Sequence, residues 1–372
     1  MVLKDKNVAI IGAGPTGLTL AKLLQQDGIK VNIYERDKDP EARIWGGTLD
    51  LNLDSGQEAL KKVGLLQDYF AKAKPMGRTI TDEQSNVLLS VPPRYESPEI
   101  SRNDLRQLLL NSLKSDTVIW DRKFTTMSTH NDKWLLRFDN QPDAVADVVI
   151  GADGGMSQAG RYITDAKAQY TGTFIIQGEV CQPKINCPEL YDLCNDTILM
   201  TASNGVNFVA NPDNNGSLTF NVTFRQPEAW LPENGLDFKD KGSIAAFLSE
   251  KFAHWHECYR DLFTSTSYFV GLPSRKLSLD NQWKKDRPLP ITLIGDAAHV
   301  MPPFAGRGVN TGLMDALILS DNLTNGKFRT IEAAIDNYEQ KMFVYARQAL
   351  QETSSNEIVM HQPDFSFLKR FE

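Results

Sequence analysis

The spacing of apolar residues changes several times along the chain, and each change marks a different kind of element. Val8 to Ile11 is an unbroken apolar run of strand length, followed by Gly12, Gly14 and Gly17 and then by Leu18, Ala21 and Leu24 at helical spacing. This predicts a buried parallel strand, a tight turn and a helix over Leu18 to Gln26. "IKVNIYERD" reads as a second strand ending at Glu35. In "SRNDLRQLLLNSLK", Ser101 and Asp104 form a capping box ahead of Leu105, Leu108, Leu109 and Leu113 on one helical face. "DAVADVVIGADGG" predicts a buried strand over Val145 to Ile150 that delivers Asp153 and Gly154 to a turn.

From about Thr171 the period becomes two. "FIIQGEVCQ" and "GSLTFNVTFR" alternate apolar with polar residues, and "NPDNNGS" between strand-like runs is turn chemistry, so an antiparallel sheet is expected. "RPLPITLIGDAAH" then returns to the buried parallel texture at Ile291 to Ile294, ahead of a loop rich in glycine and proline and the helical "GLMDALILSDNL". The first lobe is therefore expected to resume after the second. Ile335, Tyr338, Met342, Tyr345 and Ala349 recur at helical spacing, predicting one long helix over Ile331 to Met360 that spans both lobes.

Strand, glycines, helix, strand and acid occur in the order of a dinucleotide-binding unit. Glu35 lies 18 positions beyond Gly17, where a carboxylate can accept hydrogen bonds from a ribose. This motif leaves NAD, NADP and FAD open. "GAGPTG", "GADGG" and "GDAAHVMPPFAGRGVNTG" each end a predicted parallel strand, and loops at the carboxyl ends of such strands converge on a ligand. A nicotinamide dinucleotide would not need the third loop. There Asp296 suits a polyol hydroxyl, and the amides around Gly306, Gly308 and Gly312 at a helix start suit an anion such as a reduced isoalloxazine.

Composition narrows the partners. The 372 residues carry a net charge of −7 with 23% charged and 41% hydrophobic residues, and no basic tract for nucleic acid. Cys181, Cys187, Cys194 and Cys258 make no CxxC pair, which reads as reduced thiols of a cytoplasmic protein. Glycine and proline interrupt the apolar segment after "MVLKDKN", so it is read as mature protein, and no run of about 18 apolar residues predicts a membrane span. His254 and Cys258 stand at i and i+4 in an expected helix, but two ligands do not make a metal site, and none is expected. His299 in "GDAAH" is read as structural, and no GxSxG element supports a hydrolase.

With these motifs in place, the chain resembles the class A flavoprotein monooxygenases of the para-hydroxybenzoate hydroxylase fold over essentially its whole length. "YERDKDPEARIWGGTLDL", "SRNDLR", "GDAAHVMPPFAGRGVN" and "NEIVMHQPDFSF" resemble the tetracycline-inactivating members in particular. The resemblance implies an α/β fold: a Rossmann-like FAD-binding domain (1–60, 90–172 and 270–320), an inserted antiparallel-sheet substrate domain (61–89 and 173–269) and a C-terminal bridging helix (321–372). It implies a cytoplasmic monomer that uses FAD, NADPH and O2 to hydroxylate and inactivate a tetracycline-like small molecule through a flavin C4a-hydroperoxide, the flavin doing the chemistry with no side-chain nucleophile; the alternatives are the same chemistry on another phenolic or polyketide substrate, and a flavoprotein that sequesters its ligand without turnover.

Residue by residue, the resemblance assigns Gly12, Gly14 and Gly17 to the FAD pyrophosphate, Glu35 to the adenosine ribose, Arg36 to the adenine side and Asp296 to the ribityl chain. Arg102 would reach toward FAD, and Asp50 would lie near the isoalloxazine, with Gly46 and Gly47 permitting close approach. Pro303, Gly306, Gly308 and Asn310 complete the cofactor set. Gln177, Asn211, Thr219, Phe304, Asn356, Met360 and Phe367 would line the substrate pocket. Two departures stand out. Gly160 occupies the place of the arginine in the family's DGxxSxxR pattern, with Arg161 one place later, and Ile198 and Thr219 stand where tetracycline-acting relatives have an arginine and a histidine.

Overall fold

A computed structural model describes residues 2–42 and 46–371. The chain begins β1 (Asn7–Ile11), α1 (Pro15–Gln26), β2 (Lys30–Tyr34), β3 (Thr48–Asp50), α2 (Gly56–Val63) and α3 (Leu66–Lys72). It continues through β4 (Arg78–Thr81), β5 (Val87–Val91), β6 (Glu99–Ser101), α4 (Arg102–Ser112), β7 (Val118–Ile119), β8 (Phe124–His130), β9 (Lys133–Phe138), β10 (Gln141–Ala146) and β11 (Val148–Gly151). Then follow β12 (Gln169–Cys181), α5 (Pro183–Asn186), α6 (Pro188–Cys194), β13 (Ile198–Ser203), β14 (Val206–Asn214) and β15 (Ser217–Arg225). The last part comprises α7 (Trp230–Glu233), α8 (Lys241–Lys251), α9 (Glu257–Thr264), β16 (Tyr268–Lys276), β17 (Ile291–Leu293), α10 (Asp296–His299), α11 (Gly308–Thr324) and α12 (Ile331–Met360).

Five parallel strands form one sheet in the order β17-β11-β1-β2-β7. Its central strands are apolar without alternation because both faces are covered, and Ile10, Ile150 and Leu293 share a core with Leu18 and Leu24 of α1, Leu313 of α11 and Tyr338 of α12. The apolar stretch Val145 to Ile150 is not one strand. It breaks at Asp147, whose carboxylate accepts from the Asn7 amide (2.8 Å) and faces Lys6 and Lys133. A charged group with these partners does not fit a ladder buried on both faces, so β10 stays in a separate antiparallel sheet (β10-β9-β8) while β11 enters the parallel one.

The second large sheet runs β16-β12-β15-β14-β13-β4-β5. Its alternation sorts side chains by face. Ile176, Leu199, Phe208, Ala210, Phe220 and Val222 pack beneath α8 and α9, while the opposite face carries Gln177, Asn221, Val209, Met200 and Ile80 as one rung of cross-strand partners. The expected boundary at residue 61 is displaced: Leu60, Val63 and Tyr69 of α2 and α3 bury themselves in the first core, and the chain joins the second sheet only at β4. The helix expected to hold both His254 and Cys258 is also shorter. His256 caps α9 through its Nδ1, leaving His254 exposed in the preceding turn. Among the described residues, no helix is long and apolar enough to cross a membrane.

Helix α12 spans 30 residues, about 45 Å at 1.5 Å per residue. Thr330 caps it, its Oγ1 accepting from the Ala333 amide (3.1 Å). Near its start the Tyr338 hydroxyl donates to the Leu293 carbonyl (2.9 Å), and Glu339 holds Arg287 in a two-pronged pair (2.6 and 2.9 Å). Near its end the Glu357 carboxylate accepts from Ser274 of β16 (3.1 Å) and from Thr171 of β12 (2.5 Å), and Asn207 of β14 donates to the Met360 carbonyl (2.9 Å). One helix is thus bonded to both large sheets.

The Arg287–Glu339 pair is buried, and Thr292 also donates to Glu339 (2.8 Å). Replacing Glu339 by Ala leaves the guanidinium in the interior without its partner, so a loss of about 3–5 kcal/mol is expected in chemical denaturation. An unchanged unfolding midpoint would show that water reaches Arg287.

Candidate cofactor and substrate site

The turn after β1 is built around missing side chains. Gly12 has φ +106°, and a Cβ there would lie 2.4 Å from the Ala152 carbonyl oxygen; a Cβ on Gly17 would lie 2.4 Å from the Gly12 oxygen. Packing within the protein therefore requires both. Gly14 differs: it is the N-cap residue of α1, Pro15 follows at the first helical position, and a Cβ there would meet nothing within 4 Å. Its open side is where a ligand can approach the helix start. Buried Glu35 follows β2, its two oxygens accepting from the amides of Ala13 (2.5 Å) and Asp37 (3.0 Å), while Arg36 points to solvent.

At the other end of the chain, Gly295 leaves β17 with φ +62°. Thr16 of α1 lies between this turn and α11: a Cβ on Gly295 would stand 2.9 Å from Thr16 Oγ1, and one on Gly312 2.4 Å from it. Asp296 beyond the turn is exposed. Asn310, on the first turn of α11, ties three segments together. Its Oδ1 accepts from the Asn52 amide (2.8 Å), and its Nδ2 donates to the carbonyls of Asp50 (3.1 Å) and Gly306 (3.2 Å). This holds Asp50 against the helix start, its Oδ1 3.5 Å from where a Cβ of Gly306 would be, while Gly308 begins the helix beside Asp296.

Arg102 enters from α4. Ser101 caps that helix, Oγ accepting from the Asp104 amide (3.0 Å), but the reciprocal bond runs from the hydroxyl to the Asp104 carboxylate (2.7 Å) because aspartate is a methylene shorter than the glutamate of a capping box. Gly46 leaves room for the guanidinium, since a Cβ there would lie 2.3 Å from Arg102 Nε; Gly47 is open. That Nε is buried with no hydrogen-bond partner. Burial pushes the pKa of Arg102 down, opposed by the charge of Asp296. A guanidinium N–H buried without an acceptor is costly, so the surroundings fit an anionic group bound here.

The remaining motif residues support the loops. Asp153 accepts from the Ser157 hydroxyl (2.5 Å) and the Gln158 amide (2.7 Å), folding "DGGMSQ" onto itself. Gly160 is buried and Arg161 exposed. His299 is fully buried against Asp315 (2.7 Å), whose carboxylate also accepts from the Gly295 amide (2.7 Å) and the Tyr345 hydroxyl (2.5 Å). Asp315 and Tyr345 thus fix the turn that presents Asp296. The only trace of this in the sequence is an acid inside an apolar helix.

The candidate substrate residues gather on the face of the second sheet opposite α8 and α9. Cross-strand pairing sets Glu179, Thr219 and Asn211 side by side, and continuing the register adds Ile198 and then Arg78. On the neighbouring rung Gln177 is buried with an unpartnered Oε1. Phe304, Met360, Phe365 and Phe367 form an apolar cluster with Ile80, and Asn356 donates to the Phe304 carbonyl (3.2 Å); Pro303 is exposed. Sequence reasoning missed Arg78, Glu99 and Thr48. Arg78 Nη2 donates to Glu99 (2.8 Å), Thr48 donates to the other Glu99 oxygen (2.8 Å), and Asn211 donates to Thr48 (2.9 Å). The pairing of β3 with β6 sets Asp50 opposite Glu99. Burial pushes the Glu99 pKa up against the pull of Arg78. The available signal was parity: in "GRTIT", Arg78 lies two residues before Ile80 and so shares its face.

Away from this region, Glu189, His256 and Cys258 bring possible ligand atoms within 4.8 Å of one another. Burial pushes the Cys258 thiol up to about 11, and Ser85 lies 3.3 Å from its sulfur.

Comparison with known proteins adds to this geometry. A family model described as an FAD binding domain matches residues 5–230 and 272–353. Kynurenine 3-monooxygenase of Salinispora arenicola is 28% identical over 367 residues, covering 90% of this chain and 76% of its own. Klebsiella pneumoniae HpxO complexed with FAD and uric acid superposes with a TM-score of 0.80 at 20% identity over 99% of this chain and 92% of its own. Tetracycline destructase Tet(55) gives 0.78 at 20% identity over 98% and 93%. At these identities the solved structures establish the fold.

The His299–Asp315 pair predicts a pH dependence. Burial opposes a charge on His299, but the carboxylates of Asp315 and Asp296 prevail and raise its pKa. Stability from the pair is therefore fully present below the unfolded value of about 6.5 and lost as pH rises through the higher folded value. His299→Asn is expected to cost about 3–5 kcal/mol in mildly acidic solution and less at alkaline pH. A difference from wild type that grows with pH in urea titrations would contradict this.

Proposed function

Because the chain belongs to the FAD binding domain family and is an FAD-dependent monooxygenase, we propose that it hydroxylates and inactivates a tetracycline, with NADPH and O2 as co-substrates. The observation that carries the placement of the reaction is the unpartnered Arg102 Nε. It lies within the charge of exposed Asp296, at the edge that Asp50 and Asn310 join to the polar rung of the second sheet.

In this reading the amides around Gly12, Gly14 and Gly17 hold the pyrophosphate at the start of α1, and Glu35 and Arg36 take the adenosine end. Asp296 binds the ribityl chain, and Arg102 supplies positive charge beside the cofactor. Gly47, Asp50, Pro303, Gly306, Gly308 and Asn310 shape the surface against the ring, the first turn of α11 favouring negative charge there. Bound FAD supplies electron transfer from NADPH and the activation of O2. The chain's own contribution is orientation and exclusion of water. Gln177, Asn211 and Thr219 orient the polar edge of the substrate, and Phe304, Asn356, Met360 and Phe367 close the opposite wall. An electron-rich enol carbon of the substrate accepts the oxygen atom.

Sequence likeness to tetracycline-inactivating enzymes and the shared fold of Tet(55) support the substrate. A second reading keeps the chemistry but takes another phenol or polyketide as substrate. It is favoured by Ile198 and Thr219, which present an apolar and a short side chain in the middle of the polar rung.

Two outcomes test these assignments. Purified protein is expected to carry FAD, and Arg102→Met to retain it about ten- to a hundredfold less tightly, as loss of a charged hydrogen bond implies. Flavin absorbance after gel filtration reads this directly. Incubation with NADPH, O2 and tetracycline should give a product heavier by one oxygen. Unchanged drug alongside substrate-stimulated NADPH oxidation with other phenols or polyketides would move the assignment to the second reading.

A further inference from the structure

We propose that Glu189, His256 and Cys258 form a zinc-binding site that fastens α6 to α9, on the face of the second sheet turned away from the substrate rungs. Chain spacing brings together only His256 and Cys258, two positions apart at the start of α9, and the packing of α6 against α9 adds Glu189. One ligand atom from each residue lies within 4.8 Å of the other two. In a tetrahedral zinc site with bonds of about 2.0–2.3 Å, ligand atoms stand roughly 3.4–3.6 Å apart. His256 Nδ1 and Glu189 Oε1 are already at 3.6 Å. Glu189 is exposed and His256 half-buried, so rotation of these two side chains closes the remaining distance to the buried Cys258 sulfur.

The helix cap supplies a second, independent observation. His256 Nδ1 accepts from the Cys258 amide (3.4 Å), and an imidazole nitrogen that accepts carries no proton. Its lone pair and the Glu189 carboxylate therefore face each other as two acceptors, an unfavourable pairing unless a cation joins them. A neutral imidazole with a free lone pair is also the form that binds metal. The third donor is sulfur, and a mixed sulfur, nitrogen and oxygen set suits zinc, whereas magnesium and calcium take oxygen alone. On binding, the Cys258 thiol gives its proton to solvent as the sulfur–metal bond forms, with no change of oxidation state. Water takes the fourth position.

Two of the three ligands are held by their surroundings. The His256 amide donates to the Glu83 carbonyl (2.8 Å), and Gln84 donates to the His254 carbonyl (2.8 Å), so the turn between β4 and β5 grips the segment that enters α9. Ser85 of that turn places its hydroxyl 3.3 Å from Cys258 Sγ, where it can donate to a metal-bound thiolate. Tyr259, next in the chain, is fully buried and hydrogen-bonded to Thr201 of β13 (3.0 Å). Only the Glu189 side chain remains to be ordered, which keeps the entropy cost of binding low. A metal here would tie α6 to an assembly of α9, β13 and the β4–β5 turn.

A plain helix cap beside a surface ion pair makes the opposite forecast, no selective metal uptake. The FAD-loaded full chain, stripped with EDTA and desalted, is titrated with Co2+ while its d–d absorption is followed on the long-wavelength side of the flavin bands. Wild type is expected to give the intense band of four-coordinate cobalt, saturating at one ion per chain and displaced by equimolar Zn2+, and Zn2+ should raise the melting temperature by a few degrees. H256N keeps a capping side chain and so keeps the fold. It should bind Zn2+ about a hundredfold more weakly, as should C258A, and E189Q about tenfold, all with unchanged FAD content. Wild type that shows only the weak absorption of six-coordinate cobalt overturns the proposal, as does an intense band that persists in H256N or C258A. Zinc bound with no rise in melting temperature overturns the fastening role, and unweakened binding in E189Q removes Glu189 and with it the bridge to α6.

Discussion

Everything at the cofactor end depends on how closely three strand ends approach one another. Thr16 fills the space between the turn after β17 and the first turns of α11, and it does so only because residues 295 and 312 lack side chains. On the other side of α1, Gly12 and Gly17 let the first turn lie against the β11 loop and against itself. Methyl groups at these positions would meet backbone or Thr16 atoms at 2.4–2.9 Å and force the segments apart. The buried His299–Asp315–Tyr345 group then fixes the same turn from behind, so Asp296 is presented by a rigid support.

That rigidity passes to the second sheet through few connections, and they are polar. Asn310 holds the Asp50 backbone, the β3–β6 pair carries Asp50 opposite Glu99, and Thr48 and Arg78 join Glu99 to the sheet. On the far side α12 is bonded to β17 at Leu293 and to β12, β14 and β16 near its end. Directional bonds of this kind set distance and orientation between the two sheets more narrowly than apolar contact would. Apolar packing does the complementary work, in the Phe304, Met360 and Phe367 cluster that roofs the polar rungs.

Much of this was legible in the residues. Strands β1 and β17, helix α12 and the Ser101 cap follow from local rules of period, glycine placement and capping, which act within a few residues. Local rules failed where the deciding partner was distant. Asp147 broke an apolar run because of Asn7 and Lys133, and His256 capped α9, which leaves His254 outside the helix it was expected to share with Cys258. Tyr69 joined the first core although it lies in the stretch 61–89 expected to belong to the substrate domain.

The sequence by itself determined the elements, the glycine turns and the order in which parallel and antiparallel textures alternate, because each depends on neighbours along the chain. Only the tertiary structure decided which side chains share a rung. Arg78, Ile198, Asn211 and Thr219 are separated by up to 141 positions and come together through strand pairing, while Arg102 and Asp296, at the starts of α4 and α10, come together through tertiary packing. Register is set by hydrogen bonds between strands, and no single strand carries that information.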